Sequence, residues 1–141
     1  MALKKIDRSK ILLQTKIPPN KSPIEFEKQL EESFQRLDTN TIDLLAIHGI
    51  NMPEHLDQTL CSGGCIEVAK RWKKKGKIRC IGFSTHAKTR LIVKAIESQA
   101  FDYVNLHWYF IRQENEAALI AAKKLNLGVF IISPTDKGGH L

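Results

Sequence analysis

Three apolar runs in this chain each close on a polar residue: residues 11–16 on Lys16, residues 42–48 on His48 and residues 78–84 on Ser84. If the runs are parallel strands, an ammonium, an imidazole and a hydroxyl share one rim. The carboxyl ends of neighbouring strands are where α/β proteins build active sites. Each residue also has an ordinary alternative, since a lysine or histidine at a strand end is often no more than a solvated side chain.

The elements that would position them follow from periodicity. Pro18 and Pro19 end the first run. Ser22 then reads as an N-cap, with Pro23 at the first helical position and Glu25 three residues after the cap. Phe26, Leu30, Ser33, Phe34 and Leu37 fall on one face of the helix that follows, with Glu27, Lys28, Glu31, Glu32 and Arg36 opposite. It should end near Asp38. The second run is nearly uninterrupted in its apolar character, as in a strand covered on both faces. Beyond it lie a loop over 48–53, a weak helix near 54–60 and a stronger one over 64–75 that Gly76 stops. The third strand, 78–84, leads through a loop to a helix burying Leu91, Ile92, Ala95 and Ile96. A fourth strand over 103–109, a helix over 113–125 ending at Asn126 or Gly128, and a fifth strand over 129–132 complete the pattern, with a loop from Ser133 to Gly139.

This is a strand-helix unit repeated four times and then a last strand. Such alternation implies right-handed parallel crossovers. An open doubly wound sheet would normally carry a Gly-rich turn after its first strand. Here that turn is Lys16-Ile17-Pro18-Pro19-Asn20, without glycine. The expected fold is therefore a partial (β/α)8 TIM barrel, five parallel strands alternating with four helices, in a single domain over 1–141. A complete barrel takes about 250 residues, so five strands would leave two sheet edges unpaired, inviting self-association.

With 141 residues and 43% hydrophobic side chains, the chain can bury a real core. No stretch suggests a membrane span or a signal peptide, and a cytoplasmic location is expected. Cys61, Cys65 and Cys80 form an odd set, and Cys61 and Cys65 lack the further ligands of a structural zinc site. The net charge of +7 is concentrated in residues 70–79, around the end of a helix. Cations there favour the negative end of the helix dipole, so capping and solubility account for the run better than a nucleic-acid surface does.

The blocks Leu13-Gln14-Thr15-Lys16, the helix 29–37, Thr41-Ile-Asp-Leu-Leu-Ala-Ile-His48, Lys75-Gly-Lys-Ile-Arg-Cys-Ile-Gly-Phe-Ser84 and Ser133-Pro134, in this order, resemble successive blocks of an aldo-keto reductase. The resemblance implies strands three to seven of a barrel that binds NADPH, or less often NADH, across its carboxyl-end rim. Its reaction is reversible hydride transfer between the nicotinamide and the carbonyl carbon of an aldehyde or ketone. A tyrosine protonates the oxygen. Lys16 corresponds to the lysine that favours the ionised phenol, and His48 to the histidine that bonds the substrate carbonyl. Ser84, Thr85, Asn105 and Ser133 fall at cofactor positions, with Thr85 in place of the usual Asn and Asn105 in place of the usual Gln. Lys137, Gly138 and Gly139 could approach the diphosphate.

The family's tyrosine and aspartate lie upstream of the lysine strand, and only residues 1–15 precede Lys16 here, without a tyrosine. Tyr103 and Tyr109 match no catalytic block. The resemblance thus implies a fragment inactive alone, or alternatively a non-catalytic nucleotide-binding or regulatory module of the same fold. Some features, including Gly-Phe-Ser-Thr-His, resemble a divergent branch with a C-terminal iron-sulfur region, although this chain contains no cluster motif. His107 is a candidate for the barrel interior near substrate, Trp108 for the core or the lining of a substrate pocket, and His55, His86 and His140 for loops.

Overall fold

The structure is a computed structural model that describes residues 6–134. Five strands, β1 (Gln14–Ile17), β2 (Ile42–His48), β3 (Ile78–Ser84), β4 (Tyr103–Leu106) and β5 (Gly128–Ile131), form one sheet in sequential order, every neighbouring pair parallel. The helices are α1 (Pro23–Leu37), α2 (Pro53–Leu60), α3 (Cys65–Lys74), α4 (Thr89–Glu97) and α5 (Glu116–Lys124). The described residues therefore hold five α-helices rather than four, because the β2–β3 connection contains two.

Local chemistry sets the helix ends. Ser22 Oγ accepts a hydrogen bond from the Glu25 backbone N–H at 3.3 Å, with Pro23 opening α1. Only half of the expected reciprocal cap forms, because the Ser22 N–H donates instead to Asn20 Oδ1 at 2.9 Å. Asp38 closes the helix in the left-handed region. At the start of α3, Gly64 is required by space: a Cβ there would stand 2.7–2.9 Å from the carbonyl oxygens of Gln58, Thr59 and Cys61.

The core lies on one face of the sheet. Ile17, Leu45, Ile47, Ile81, Phe83, Val104 and Leu106 project toward Phe26, Leu30, Val68, Ile92, Ile96 and Ala118 on the helices. Burial of each large aliphatic or aromatic side chain contributes about 1.5–3 kcal/mol. One-sided helices together with side-chain contacts between β1 and β4, described below, identify the arc of a (β/α)8 barrel. In a flat sheet these strands would stand about 14 Å apart. Two cations of the basic run are paired: Arg71 meets Glu27 at 2.7 Å and Lys73 meets Asp102 at 2.6 Å. No helix among the described residues is long and apolar enough to cross a membrane.

Two strands are shorter than their apolar runs. Residues 11–13 stand outside β1, with Leu12 69% exposed, although the backbone of Leu13 is held by Asp43, whose Oδ2 accepts its N–H at 2.8 Å. β4 stops at Leu106 because the chain turns away; the His107 carbonyl accepts from Asn115 Nδ2 at 2.9 Å, and Tyr109 and Arg112 exchange backbone hydrogen bonds. β1 and β5 are the sheet edges, and Phe130 of β5 remains 55% exposed.

Candidate functional site

Register and alternation place the candidate residues. Lys16, Ala46, Gly82, Tyr103 and Gly128 occupy one row across the five strands, on the face away from the helices. Toward the carboxyl ends the same face carries the row His48, Ser84, Asn105 and Phe130. Four of the sequence candidates, Lys16, His48, Ser84 and Asn105, thus share one face within two rows.

His48 ends β2 exposed, and Gly49 follows at φ +76°, a turn that favours glycine. The turn brings the Gly49 N–H to the Ser84 carbonyl at 2.9 Å and to Ser84 Oγ at 3.2 Å. Ser84 is buried, with its own hydroxyl proton still available to donate. Lys16 forms no ion pair with the described residues and borders a cleft between the edge of β1 and α1, alongside Glu32 and Arg36.

Thr85 plays a different part. Its Oγ1 donates to the Ile50 carbonyl at 2.7 Å and accepts from the Ala87 N–H at 3.0 Å, so the hydroxyl holds the β3–α4 loop together. Ser133, exposed and at φ +49°, stands just past β5 at the same end of the sheet. Lys137, Gly138, Gly139 and His140 lie outside the described residues.

Asn105 is fully buried. Its Nδ2 donates to Gln14 Oε1 at 3.3 Å, and Gln14 Nε2 donates to the Tyr103 hydroxyl at 3.2 Å. Asn105 Oδ1 has no hydrogen-bond partner. A buried acceptor left unpaired costs about 1–3 kcal/mol, which a ligand N–H donor would recover. Burial, ahead of any other cause, pushes the Tyr103 phenol well above its ordinary pKa. This ladder went unseen in the sequence, where Tyr103 read only as a core or rim residue. The alternation that puts Gln14, Tyr103 and Asn105 on the face of Lys16 was the available signal.

His107 is buried and contacts exposed His86, Nε2 to Nδ1, at 2.9 Å. Trp108 packs against the helix-side core. His55, expected in a loop, lies in α2, its Nδ1 2.9 Å from the Gly49 carbonyl oxygen. The three cysteines are free, and no group of three metal-ligating side chains occurs among the described residues. A cleft of about 440 Å³ beside Phe34, Trp72, Asp38 and Lys77 sits at the amino end of the sheet, away from this rim.

The barrel arc carries its candidate residues at the carboxyl ends of β2, β3 and β4, the end of the sheet where α/β barrels commonly build their sites. The sequence model of the Aldo/keto reductase family matches residues 1–140, and the chain belongs to that family. An uncharacterized oxidoreductase of Bacillus subtilis, YqkF, is 24% identical over 131 residues, which cover 86% of this chain and 40% of the relative. Among solved structures, an aldo-keto reductase from Bacillus halodurans in its holo form superimposes with a TM-score of 0.79 at 21% identity, covering 95% of this chain and 46% of that one. The Bombyx mori aldo-keto reductase in complex with NADP gives 0.70 at 19% identity, covering 94% and 44%. The chain thus spans about half the length of the proteins it matches.

Proposed function

We propose that this chain supplies the Lys16–His48 side of an oxidoreductase site that reduces small aldehydes or ketones with NADPH, or NADH. The observation that carries the reading is the row His48, Ser84 and Asn105 on one face, with a buried amide oxygen lacking a partner, in a chain of the aldo-keto reductase family. When bound, the dinucleotide supplies the hydride. Ser84 and Asn105 would hold its carboxamide, Thr85 would fix the loop beside it, and Ser133 would border it from β5. His48 would donate to the substrate carbonyl oxygen and steady the negative charge that develops there. Lys16 would favour the ionised form of a tyrosine that transfers the proton.

The sequence has two tyrosines, Tyr103 and Tyr109. Tyr103 is bonded to Gln14, and its burial moves it away from a working proton donor. The 141-residue polypeptide alone is therefore expected to bind the dinucleotide without turning over a carbonyl substrate. The same observation favours a second reading, a nucleotide-binding or regulatory module. The unpaired edges at β1 and β5, with exposed Val129 and Phe130, would also drive self-association.

Titration of the polypeptide with NADPH, followed by cofactor fluorescence, tests the reading. Saturable binding weakened by Ser84→Ala supports it, and no binding at millimolar dinucleotide overturns it. Carbonyl reduction by this polypeptide that disappears in Lys16→Met would refute the inactivity and the module reading together.

A further inference from the structure

The basic run over 70–79 is the sequence motif that the rim leaves unused. The helix dipole explains why its cations gather at the end of α3, but it gives them no partners. Arg71 and Lys73 are ion-paired, whereas Lys70, Lys74, Lys75, Lys77 and Arg79 form no salt bridge among the described residues. What the run lacks in sequence, an aromatic surface beside Trp72, the fold supplies from another helix. Phe34 of α1 meets Trp72 of α3 with ring centroids 5.1 Å apart and planes tilted by 44°. Trp72 Nε1 donates to Glu27 Oε1 at 2.7 Å, which fixes the indole, and Arg71 holds the same carboxylate.

Both rings line the cleft of about 440 Å³ at the amino end of the sheet, a volume in the range of small-molecule sites. The rest of the lining is ordered along it. Glu31, Phe34 and Asp38 follow at i, i+3 and i+7 along one face of α1, a rise of about 10 Å from first to last. Lys77 stands at the Asp38 end, because its backbone carbonyl accepts from the Ile42 N–H at 2.9 Å, just beyond the loop that carries Asn40. Asp38 is itself engaged. The Glu31 carboxylate and the Lys77 ammonium form no salt bridge among the described residues. The cleft therefore offers, in order, an acceptor, two aromatic rings and a cation.

We propose that this cleft is a second binding site, for a nucleotide whose base can donate. Glu31 accepts from the base edge, Phe34 and Trp72 take the base face, and Lys77, with Asn40 beside it, holds the phosphate. Stacking on an aromatic side chain is open to every base, and the carboxylate selects among them. Guanine fits best, since its N1–H and N2–H2 are adjacent donors that match the two oxygens of one carboxylate. The site lies at the opposite end of the sheet from His48 and Ser84, so it does not rest on the cofactor reading above. A free nucleotide and a single strand carry the same unit.

The test titrates the polypeptide with GMP, guanosine and UMP and follows the two indole N–H resonances by NMR. The Trp72 resonance should shift saturably with GMP while that of Trp108 stays in place. Lys77→Gln, at an exposed position, should weaken GMP about tenfold, as loss of one charge-assisted hydrogen bond does, and leave guanosine unchanged. Glu31→Gln, also exposed, should remove the preference for GMP over UMP. A guanine-bearing single-stranded oligonucleotide separates the two sources. Binding no tighter than GMP assigns the site to the free nucleotide, and tighter binding with a steeper salt dependence assigns it to the strand. No saturable Trp72 shift at millimolar GMP overturns the proposal, and so does a GMP affinity that neither variant moves.

Discussion

Gly82→Ala should be among the most damaging single-methyl changes in this protein. The added Cβ would meet Tyr103 Cδ1, Cε1 and the Tyr103 carbonyl oxygen, each at 2.5 Å. All three distances are far inside van der Waals contact. The ring could swing away, but the carbonyl belongs to the backbone of β4, which pairs with β3 through Gly82 and Tyr103 themselves. Overpacking of this kind costs about 1–3 kcal/mol. Displacing the ring also breaks the bond between Gln14 and the Tyr103 hydroxyl, which adds about 0.5–1.5 kcal/mol. The expected loss is about 2–4 kcal/mol, a reduction in the urea midpoint of about 1–2 M for a slope near 2 kcal/mol/M. Equilibrium urea unfolding followed by circular dichroism reads it directly. Combining the change with Tyr103→Leu should recover only part of the loss, because the backbone contact remains. A Gly82→Ala midpoint within about 0.3 M of wild type would refute the steric reasoning and the placement of the ring over β3.

Three further outcomes follow from other contacts. The Leu13 N–H, aided by the Arg8 guanidinium, holds the Asp43 carboxyl below its ordinary pKa. This contribution is present above the unfolded value near 4 and is lost as pH falls through the lower folded value. Asp43→Asn should therefore cost about 1–3 kcal/mol at pH 7 in chemical unfolding, and the gap to wild type should close in acid. Glu27 accepts from Trp72 Nε1 and from Arg71, both at 2.7 Å, so Glu27→Ala should lower stability by about 1–2 kcal/mol and alter Trp72 fluorescence, while Glu27→Gln retains part of the effect. Thiol labelling mapped by mass spectrometry should modify exposed Cys61 first and Cys65 last. Cys65 is fully buried, and burial raises its thiol pKa; early labelling of Cys65 would contradict the packing of α3.

Local signals were the most legible part of the sequence. Ser22 and Pro23 mark the start of α1, Gly76 marks the end of the third helix, and the apolar runs ending at His48 and Ser84 coincide with β2 and β3. Apolar runs overstate a strand when side chains capture the backbone beyond it. Asn115, eight residues downstream, takes the His107 carbonyl and ends β4 early, although Trp108 and Tyr109 continue the apolar pattern. Asp43 likewise holds Leu13 outside β1. At the site, the shared face of Lys16, His48, Ser84 and Asn105 follows from strand register, which the ordered blocks anticipated. The commitment of the Thr85 hydroxyl to Ile50 and the Gln14–Tyr103–Asn105 ladder depend on contacts between distant segments; alternation puts the three ladder residues on one face but does not pair them.

The sequential order of the five strands also bears on assembly during synthesis. Each strand pairs with the one made just before it, so every addition closes a loop of similar length at similar entropic cost. Such a sheet can grow from its amino end as the chain leaves the ribosome. The ladder cannot. Gln14 must wait for Tyr103, 89 residues later, and for Asn105 beyond it before its amide has either of these partners. A nascent chain would have three of its five strands paired before the contacts across the inner face could form.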